Sequence, residues 1–419
     1  MATTRTFSDM LNEYVSEELL INEIKKRDWF LSNVEMTTDW LGGNYIVPFI
    51  GAVGSSVSFG GLTADTDIAQ EIAVRGSVTA YKEAWGSMIF NHTDIVQHGV
   101  VNEQNFLKIL PDAINRHVDY FRQVVSQNLL VGKAIATIAS FRATPNVAGD
   151  NTGIVNVANP ERFQIGQKVT VDDTVETAVT GYIKTINMNL NGGSMLLVTA
   201  RGGATPVDLS AFLTTDTAVL YGDGQQADGF VSAREILLSA TNGGSATVYG
   251  VTKTDYPYTQ AINVDGASVT STNILNKIFD AYVAIRQKGQ GKPFKVVMSY
   301  RNYGYCLSQL ETSKGAFNVI PMSGKTKVFG WDSIQVGGFA GTLELVATVE
   351  MNNSEIYFLD TSSMKFATNK GIMRRKSPDG IEYFEKRATT GYQYIVDHCL
   401  YGEMIFLSPC NNGILYNIP

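Results

Sequence analysis

The chain has 419 residues, enough for two or three domains with a large buried core. Its 33 Lys and Arg against 40 Asp and Glu give a net charge of −7, which argues against a protein that coats itself on nucleic acid, because phosphate binding depends on Lys and Arg displacing counterions. With 44% hydrophobic and 10% aromatic residues, the composition also excludes an intrinsically disordered chain.

The first 43 residues are predicted to form a docking arm built around one helix. Between residues 8 and 33 the apolar residues follow helical spacing, and an acidic first half precedes a basic second half, which matches the helix dipole. Trp29 and Phe30 close this helix and need a surface on which to bury. The amino terminus lacks the apolar core of a signal peptide, and no later run is long enough to span a bilayer, so we expect synthesis and folding in the cytoplasm.

Residues 44–90 are predicted to form an extended β-ribbon. Runs of β-prone residues at 44–50, 56–59, 68–75 and 77–81 alternate with glycine-rich turns. A ribbon of this kind is at best marginally stable alone in water, so it should lie either on its own domain or on a neighbouring chain.

The longest helical pattern begins at Val101 and is predicted to continue to Ser140. Apolar residues recur at three or four positions with polar residues between them, which is typical of one amphipathic helix. Pro111 suits a first helical turn and would kink a helix interior, so residues 103–110 are expected to form a separate turn or a bent lead-in. From Pro111 to Ser140 the helix would be roughly 45 Å long, which is longer than a compact small domain needs. We call it the spine helix.

Residues 154–224 are predicted to form an inserted all-β domain, either a small barrel or a sandwich. A linker-type segment at 141–153 precedes it, and short β-prone runs at 168–172, 178–187, 195–199 and 218–221 are separated by turns rich in Asp and Gly.

The rest of the chain mixes helices and strands. Helices are predicted at 272–287 and 300–310, and strands at 294–298, 343–349, 355–359, 381–386 and 392–407. Because these elements lack the strict βαβ alternation of a parallel sheet, the fold class is predicted to be α+β.

The sequence contains no concentrated catalytic, cofactor or metal site. Ser323–Thr326 ends like a phosphate-binding loop, but Val319 stands where that loop needs a glycine. His92 and His98 are six residues apart, which matches no common pair of metal ligands, and His117 is expected to pack or cap on its helix. We therefore predict a protein that is not an enzyme and that has no catalytic residue, no metal and no cofactor.

Other candidate groups also have structural explanations. Asp65 with Asp67 and Asp172 with Asp173 lie in predicted turns, where Asp commonly bonds to the backbone. The three cysteines show no CxxC spacing and are expected to be buried, reduced thiols. They are Cys306, Cys399 and Cys410.

The order of these elements resembles the major capsid protein of tailed bacteriophages, a fold also found in encapsulin nanocompartments. That family has no short catalytic motif, so the resemblance rests on element order, length and local patterns over nearly the whole chain. It implies a tailed-phage major capsid fold, with these parts: an N-terminal arm (1–43), an extended loop or β-ribbon (44–90), a peripheral domain with the spine helix (91–153), an inserted β domain (154–224), a return to the peripheral domain (225–270), an axial domain (271–350) and C-terminal strands running from the axial to the peripheral domain (351–419).

The resemblance implies a structural protein that self-assembles into pentamers and hexamers. These would form an icosahedral head that encloses double-stranded DNA without sequence-specific binding and without a membrane, located in the virion and assembled in the host cytoplasm. The implied partners are a scaffolding protein during assembly, a portal at one vertex and a decoration or cement protein. The scaffold is expected to be a separate protein because the chain starts without a long amino-terminal extension.

Nine residues of the arm and the ribbon are candidates for contacts between subunits: Trp29, Phe30, Phe59, Glu71, Arg75, Tyr81, Lys82, Glu83 and Trp85. The apolar members should matter more, since exposed charge pairs contribute only about 0 to 1 kcal/mol each. For those aromatic residues, burial in the core of their own chain is the alternative. Lys82 is also the candidate for the lysine-to-asparagine bond that covalently cross-links the shell in some phages.

Three alternatives stay open. An encapsulin-like compartment shell would have the same fold and a different cargo. A β-rich enzyme with an unrecognised site belongs to another class. A tail or decoration protein would form tubes, fibres or small rings.

Overall fold

The computed structural model describes residues 29–40, 43–52, 72–79, 81–91, 103–140, 153–173, 177–189, 192–209, 212, 218–289, 295–312, 334–338, 341–368, 372–374, 384–388 and 391–419. The chain divides into two compact units, each made of three segments. Unit 1 comprises Met1–Gly42, Tyr81–Ser126 and Phe366–Glu403. Unit 2 comprises Gly43–Ala80, Gln127–Lys365 and Met404–Pro419.

The described residues contain six α-helices and several short 3₁₀ turns. The helices are α1 (Trp29–Asn33), α2 (Glu103–Val131), α3 (Gln225–Asp228), α4 (Ala233–Leu237), α5 (Ile274–Gly289) and α6 (Tyr300–Thr312). The 3₁₀ turns are Pro160–Arg162, Ala240–Asn242, Pro257–Thr259, Thr361–Ser363 and Pro409–Asn411.

The strands are numbered in chain order. The first eleven are β1 (Glu35–Thr37), β2 (Tyr45–Ala52), β3 (Ile72–Val78), β4 (Lys82–Asn91), β5 (Ala134–Ser140), β6 (Ile154–Val157), β7 (Lys168–Asp172), β8 (Val179–Asn189), β9 (Gly192–Val198), β10 (Val219–Gly222) and β11 (Thr247–Val248). The others are β12 (Val251–Thr252), β13 (Ile262–Asp265), β14 (Lys295–Met298), β15 (Ile334–Gly338), β16 (Gly341–Ala347), β17 (Ile356–Leu359), β18 (Met364–Ala367), β19 (Ile372–Arg374), β20 (Phe384–Ala388), β21 (Gly391–Phe406) and β22 (Gly413–Tyr416).

Unit 1 is organised around a six-stranded sheet. Its strand order is β1-β18-β21-β19, and β20 and β4 also pair with β21. The antiparallel pairing of β4 with β21 is long, running from Lys82 opposite Gly402 to Asn91 opposite Gln393. The long strand β21 therefore holds this sheet together.

The pairing of β4 corrects the predicted ribbon over residues 44–90. β2 and β3 do form an antiparallel two-stranded ribbon, with Tyr45 opposite Val78. β4 is not part of this ribbon and pairs with β21 instead. Its residues alternate between a buried face, which carries Gly86 and Met88, and an exposed face, which carries Trp85. Such a strand needs a sheet beneath it, and its partner β21 lies far along the chain.

The structure also corrects the predicted spine helix. α2 is a single helix of 29 residues that continues through Pro111, so residues 103–110 are not a separate turn. It ends at Val131 rather than at Ser140. Gly132 follows with φ +104°, and its N–H donates to the carbonyl of Asn128 at 3.0 Å, which terminates the helix.

The predicted β domain is a closed barrel, one of the two architectures expected for it. The strand order around the barrel is β10-β5-β6-β9-β8-β7, so the barrel includes β5 and extends beyond the predicted range of 154–224. β6, β7 and β10 alternate buried and partly buried residues, as strands of a small filled barrel do. The interior is apolar and contains residues such as Val155, Val169, Leu197 and Leu220.

The other large sheet of unit 2 has the strand order β13-β22-β17-β14-β16-β15. It is mixed, since β13 runs parallel to β22 and β14 runs parallel to β16, while β17 is antiparallel to both neighbours. α5 and α6, which correspond to the predicted helices 272–287 and 300–310, share one hydrophobic core with this sheet. The protein is thus a mixed α+β structure, as the sequence predicted.

Candidate assembly surfaces

The base of the ribbon is held by one aromatic pair in unit 2. The rings of Phe49 on β2 and Tyr249 lie parallel, with centroids 6.1 Å apart and an interplanar angle of 6°. The N–H of Ser77 on β3 donates to the carbonyl of Tyr249 at 2.8 Å. A Cβ atom at Gly76 would lie 2.8 Å from Cε2 of Phe49 and 3.1 Å from Cβ of Tyr249. Glycine at this position therefore allows the close approach of ribbon and ring.

Tyr249 itself occupies an unusual turn. With φ +48°, it precedes Gly250 at φ +81° in the tight connection between β11 and β12. A non-glycine residue rarely adopts positive φ, so other contacts must compensate. The Tyr249 hydroxyl donates to the carbonyl of Met404 at 2.7 Å and accepts from the N–H of Phe406 at 3.0 Å. Tyr249 thus connects the ribbon base to the segment that precedes the last strand.

The opposite face of the ribbon points to solvent. Val47 and Phe49 are buried, whereas Ile46 is 57% exposed and Pro48 and Arg75 are exposed opposite each other in the strand register. Arg75 is therefore accessible to solvent, and its role as a contact residue stays a prediction. Phe59 and Glu71, two other predicted contact residues, lie outside the described residues.

A second exposed apolar surface lies on the sheet of unit 1. We define the aromatic patch as Tyr81, Trp85, Ile89 and Tyr401. Trp85 is 46% exposed and Ile89 58% exposed on the same face of β4. Tyr401 meets the rings of Trp85 and Tyr81 edge-on at 5.7 Å and 6.4 Å. Trp85 also donates from Nε1 to Oε2 of Glu83 at 2.8 Å, so its indole is held in one orientation on the surface.

The remaining predicted contact residues differ in exposure. Phe30 is only 2% exposed, which favours the alternative stated for it, burial in the core of its own chain. Its neighbour Trp29 is half-buried on α1, Lys82 is half-buried at the start of β4, and Glu83 is exposed.

The face of the unit 1 sheet opposite the aromatic patch packs on α2. The ring of His398 on β21 meets Phe121 at 4.6 Å and His117 at 4.9 Å between centroids. His398 is buried, and Gly86 on β4 leaves room for its imidazole. His117 therefore packs, as predicted, while the sequence did not indicate its histidine partner.

A buried polar cluster in unit 2, which the sequence analysis missed, joins the barrel to the large sheet. Arg162, in the 3₁₀ turn of the barrel, is 1% exposed and donates from Nη1 to Oδ1 of Asn352. Asn353 donates from Nδ2 to Oδ1 of Asn159. Burial lowers the pKa of the Arg162 guanidinium to about 10, although Tyr357 and Glu355 act in the opposite direction.

Glu355 is the central acid of this cluster. It accepts a hydrogen bond from Nε of Arg234 at 2.7 Å and one from the hydroxyl of Tyr357 at 2.8 Å. Burial and the neighbouring carboxylate raise the pKa of the Tyr357 hydroxyl. Burial opposes the charge on Arg234, but Glu355 and Tyr357 outweigh it and raise the pKa of the guanidinium. The sequence carries one sign of this cluster, which is that the acidic Glu355 directly precedes the apolar strand β17.

The candidate catalytic and metal-binding residues form no such site where the structure describes them. Within the described ranges no three His, Cys, Asp or Glu residues come together as a metal site. Asp172 accepts a hydrogen bond from Gln226, and Asp173 is buried. Ser323–Thr326, His92, His98, Asp65 and Asp67 lie outside the described residues.

All three cysteines are free and buried, as predicted. Burial raises the pKa of the Cys306 thiol to about 12 and also raises that of Cys410, so neither is a ready thiolate. Among the helices described, none is both long and apolar enough to cross a membrane.

No protein-family model matches the sequence, and no curated protein matches it. Solved structures align with most of the chain at low similarity. The capsid of cyanophage A-1(L) is 10% identical with a TM-score of 0.43, covering 92% of this chain and 90% of the other. The capsid of a native GTA particle is 9% identical with a TM-score of 0.43, covering 93% and 90%. The SrpI encapsulin of Synechococcus elongatus PCC 7942 is 8% identical with a TM-score of 0.40, covering 93% and 87%.

Proposed function

We propose that this chain is a structural major capsid protein that self-assembles into a closed shell. The observation that carries the proposal is the two-stranded ribbon of β2 and β3, which is anchored at Phe49 and Tyr249 and turns Ile46 and Pro48 outward. A ribbon of two strands is marginally stable alone, and an exposed apolar face on it is best explained by another surface that covers it.

The aromatic patch of unit 1 supports the same proposal. Trp85 and Ile89 are large apolar side chains exposed on the same face of β4, and the ring of Tyr401 contacts those of Trp85 and Tyr81. Aromatic residues on a sheet are typical of the centre of a protein interface. A chain that carries two different exposed apolar surfaces can form a heterologous contact, which closes into rings when repeated around an axis.

The finer assignments are part of the proposal. The rings would be pentamers and hexamers of an icosahedral head that encloses double-stranded DNA, with a scaffolding protein, a portal and a decoration or cement protein as partners. The part of the ribbon formed by β2 and β3 would be the extended loop, α2 the spine helix and the barrel the inserted domain. The protein would have no enzymatic activity, and its location would be the virion after assembly in the host cytoplasm.

The direct test is assembly of the purified chain, followed by negative-stain electron microscopy and sedimentation velocity, alone and with a candidate scaffold. Rings, tubes or closed shells of a single protein are the expected result. A stable monomer or dimer under both conditions would refute the proposal. Shells isolated from cells should contain DNA, whereas an enclosed protein cargo would identify a compartment of the encapsulin kind.

A further inference from the structure

An exposed glycine in the middle of α6 has no explanation within the described part of the subunit. Gly304 is the fifth residue of this 13-residue helix, and its φ is that of ordinary helical backbone. A Cβ atom at Gly304 would meet nothing within 4 Å. Glycine destabilises a helix interior relative to alanine, so a glycine in open space weakens α6 without an intramolecular benefit.

The residues one turn before Gly304 add an exposed aromatic ring and a positive charge to this surface. Tyr300 is 61% exposed. The guanidinium of Arg301 lies over the ring of Tyr305 at 5.4 Å and also donates to the backbone carbonyl of Pro419, so its position is fixed. We call Tyr300, Arg301 and Gly304 the α6 notch. It combines a gap in the helix surface with a fixed positive charge.

The neighbouring helix carries the complementary features. Phe279 on α5 is 40% exposed. The residue before it, Ile278, and the residue three positions after it, Tyr282, both belong to the hydrophobic core. The next residue, Asp280, is exposed. Phe279 does not fill the space over Gly304 in its own subunit, since that space is open. α5 therefore presents an apolar projection beside a negative charge.

We propose that Phe279 of one copy packs on Gly304 of a neighbouring copy, with Asp280 of the first facing Arg301 of the second. The occupant of the α6 notch is thus a second copy of this chain, as the opposite charges of the exposed Asp280 and Arg301 indicate. This inference rests on the proposed function and names a contact that would hold the ring together. It is separate from the ribbon and from the aromatic patch.

Single substitutions test the two sides of the contact. Gly304→Trp fills the notch and Phe279→Ser removes the projection, and each is expected to raise the concentration needed for assembly by at least about tenfold, as loss of a buried aromatic anchor does at an interface. Met188→Ser removes another exposed apolar side chain, on β8 of the barrel, and is the matched control that should assemble like the wild type. Circular dichroism and thermal melting of the dissociated chains verify that each variant is folded.

Gly304→Ala separates stability from assembly. It should raise the melting temperature of the dissociated chain, by about 2 °C to 4 °C for a domain of this size, because alanine favours the helix and meets no clash. The same variant should assemble less well, because a methyl group keeps the ring of Phe279 from the helix backbone. Equal or better assembly would contradict the close packing proposed here.

A charge exchange tests the pairing itself. Asp280→Arg and Arg301→Asp should each impair assembly, and the double variant should restore it, since each contact again joins opposite charges. Wild-type assembly by Gly304→Trp and Phe279→Ser, or no rescue by the double variant, would overturn the inference and leave the proposed function intact. A wild-type chain that never assembles, even with a scaffold, would overturn the proposed function itself and this contact with it.

Discussion

Nε of Arg234 lies 2.7 Å from Oε1 of Glu355, and this ion pair is the centre of the buried polar cluster between the barrel and the large sheet of unit 2. The carboxylate side chain is 5% exposed, and Arg162 and Tyr357 are close enough to interact with it electrostatically. Glu355 acts on both guanidinium groups, so its removal would take from two largely buried cations the acid that they share.

Glu355→Ala should therefore lower the free energy of unfolding by about 3 to 5 kcal/mol, as the removal of one partner from a buried ion pair does. The measurement is chemical denaturation followed by far-UV circular dichroism. The control is Lys168→Ala, which breaks the solvent-exposed pair with Asp223 and should change stability by less than about 1 kcal/mol. Equal effects of the two substitutions would contradict the importance of the buried cluster.

At the ribbon base, Gly76→Ala should destabilise the protein by about 1 to 3 kcal/mol, because the added methyl group overlaps the ring of Phe49 and touches Tyr249. The matched control is the same substitution at Gly304, where the methyl group meets nothing. Thermal melting compares the two, and hydrogen exchange at the amides of β2 and β3 locates the effect. A neutral Gly76→Ala would show that the ribbon is not held by this aromatic pair.

Tyr249→Phe keeps the ring that stacks on Phe49 and removes only the hydroxyl. The carbonyl of Met404 and the N–H of Phe406 would each lose a partner, so we expect a loss of about 1 to 3 kcal/mol in the free energy of unfolding. Tyr300→Phe, at an exposed position on α6, should leave stability unchanged. If both variants are as stable as the wild type, the hydroxyl does not offset the strain of the turn.

The sequence could predict the elements whose signals are local. The apolar spacing of α5 and α6 and the alternation along the barrel strands correspond to the elements that the structure contains. The end of α2 could not be found this way, because Ile135 and Ile138 keep helical spacing although both point into the barrel. The pairing of β5 with β10 shifts register at Ile135, and such a bulge allows residues three apart to lie on one face of a strand.

The residues of the candidate surfaces could be only partly predicted, because their contacts join segments that are distant in the sequence. Trp85 and Tyr81 were recognised as contact candidates from their residue type, but their partner Tyr401 lies on a strand distant in the sequence. The same separation hid the polar cluster, since Arg162, Arg234 and Glu355 meet only after the barrel and the sheet have formed. Pairing between distant residues leaves no periodic signal in either segment.

Stability should depend on Lys253 in the alkaline range. Its ammonium group donates to the carbonyls of Glu235 at 2.8 Å and Leu238 at 2.7 Å, and burial lowers its pKa to about 8 from an ordinary value of 10.5, although Glu235 acts in the opposite direction. Between pH 8 and pH 10.5 the unfolded chain binds more protons at this residue than the folded chain, so its contribution to stability rises with pH. Below pH 8 the contribution is constant and unfavourable.

The test for Lys253 is the difference in unfolding free energy between the wild type and Lys253→Met across this range. The wild type should gain about 1 to 3 kcal/mol relative to the variant as the pH rises from 8 to 10.5. Comparing the two chains cancels the titration of the other groups. A difference that stays flat with pH would mean that Lys253 titrates at its ordinary pKa.

Trp85 should matter for assembly far more than for the stability of the single subunit. Its indole is nearly half exposed, so Trp85→Ser removes little buried area in the dissociated chain, whereas at an interface the same side chain would be a buried aromatic anchor. We expect the concentration for half-maximal assembly to rise at least about tenfold, equivalent to about 1.4 kcal/mol per contact, while the melting temperature shifts by no more than a few degrees. Ile165→Ser, at an exposed apolar position outside both surfaces, should assemble normally. Light scattering during assembly and thermal melting of the dissociated chain measure the two effects separately, and a Trp85→Ser chain that assembles like the Ile165→Ser control would exclude the aromatic patch from the contacts between subunits.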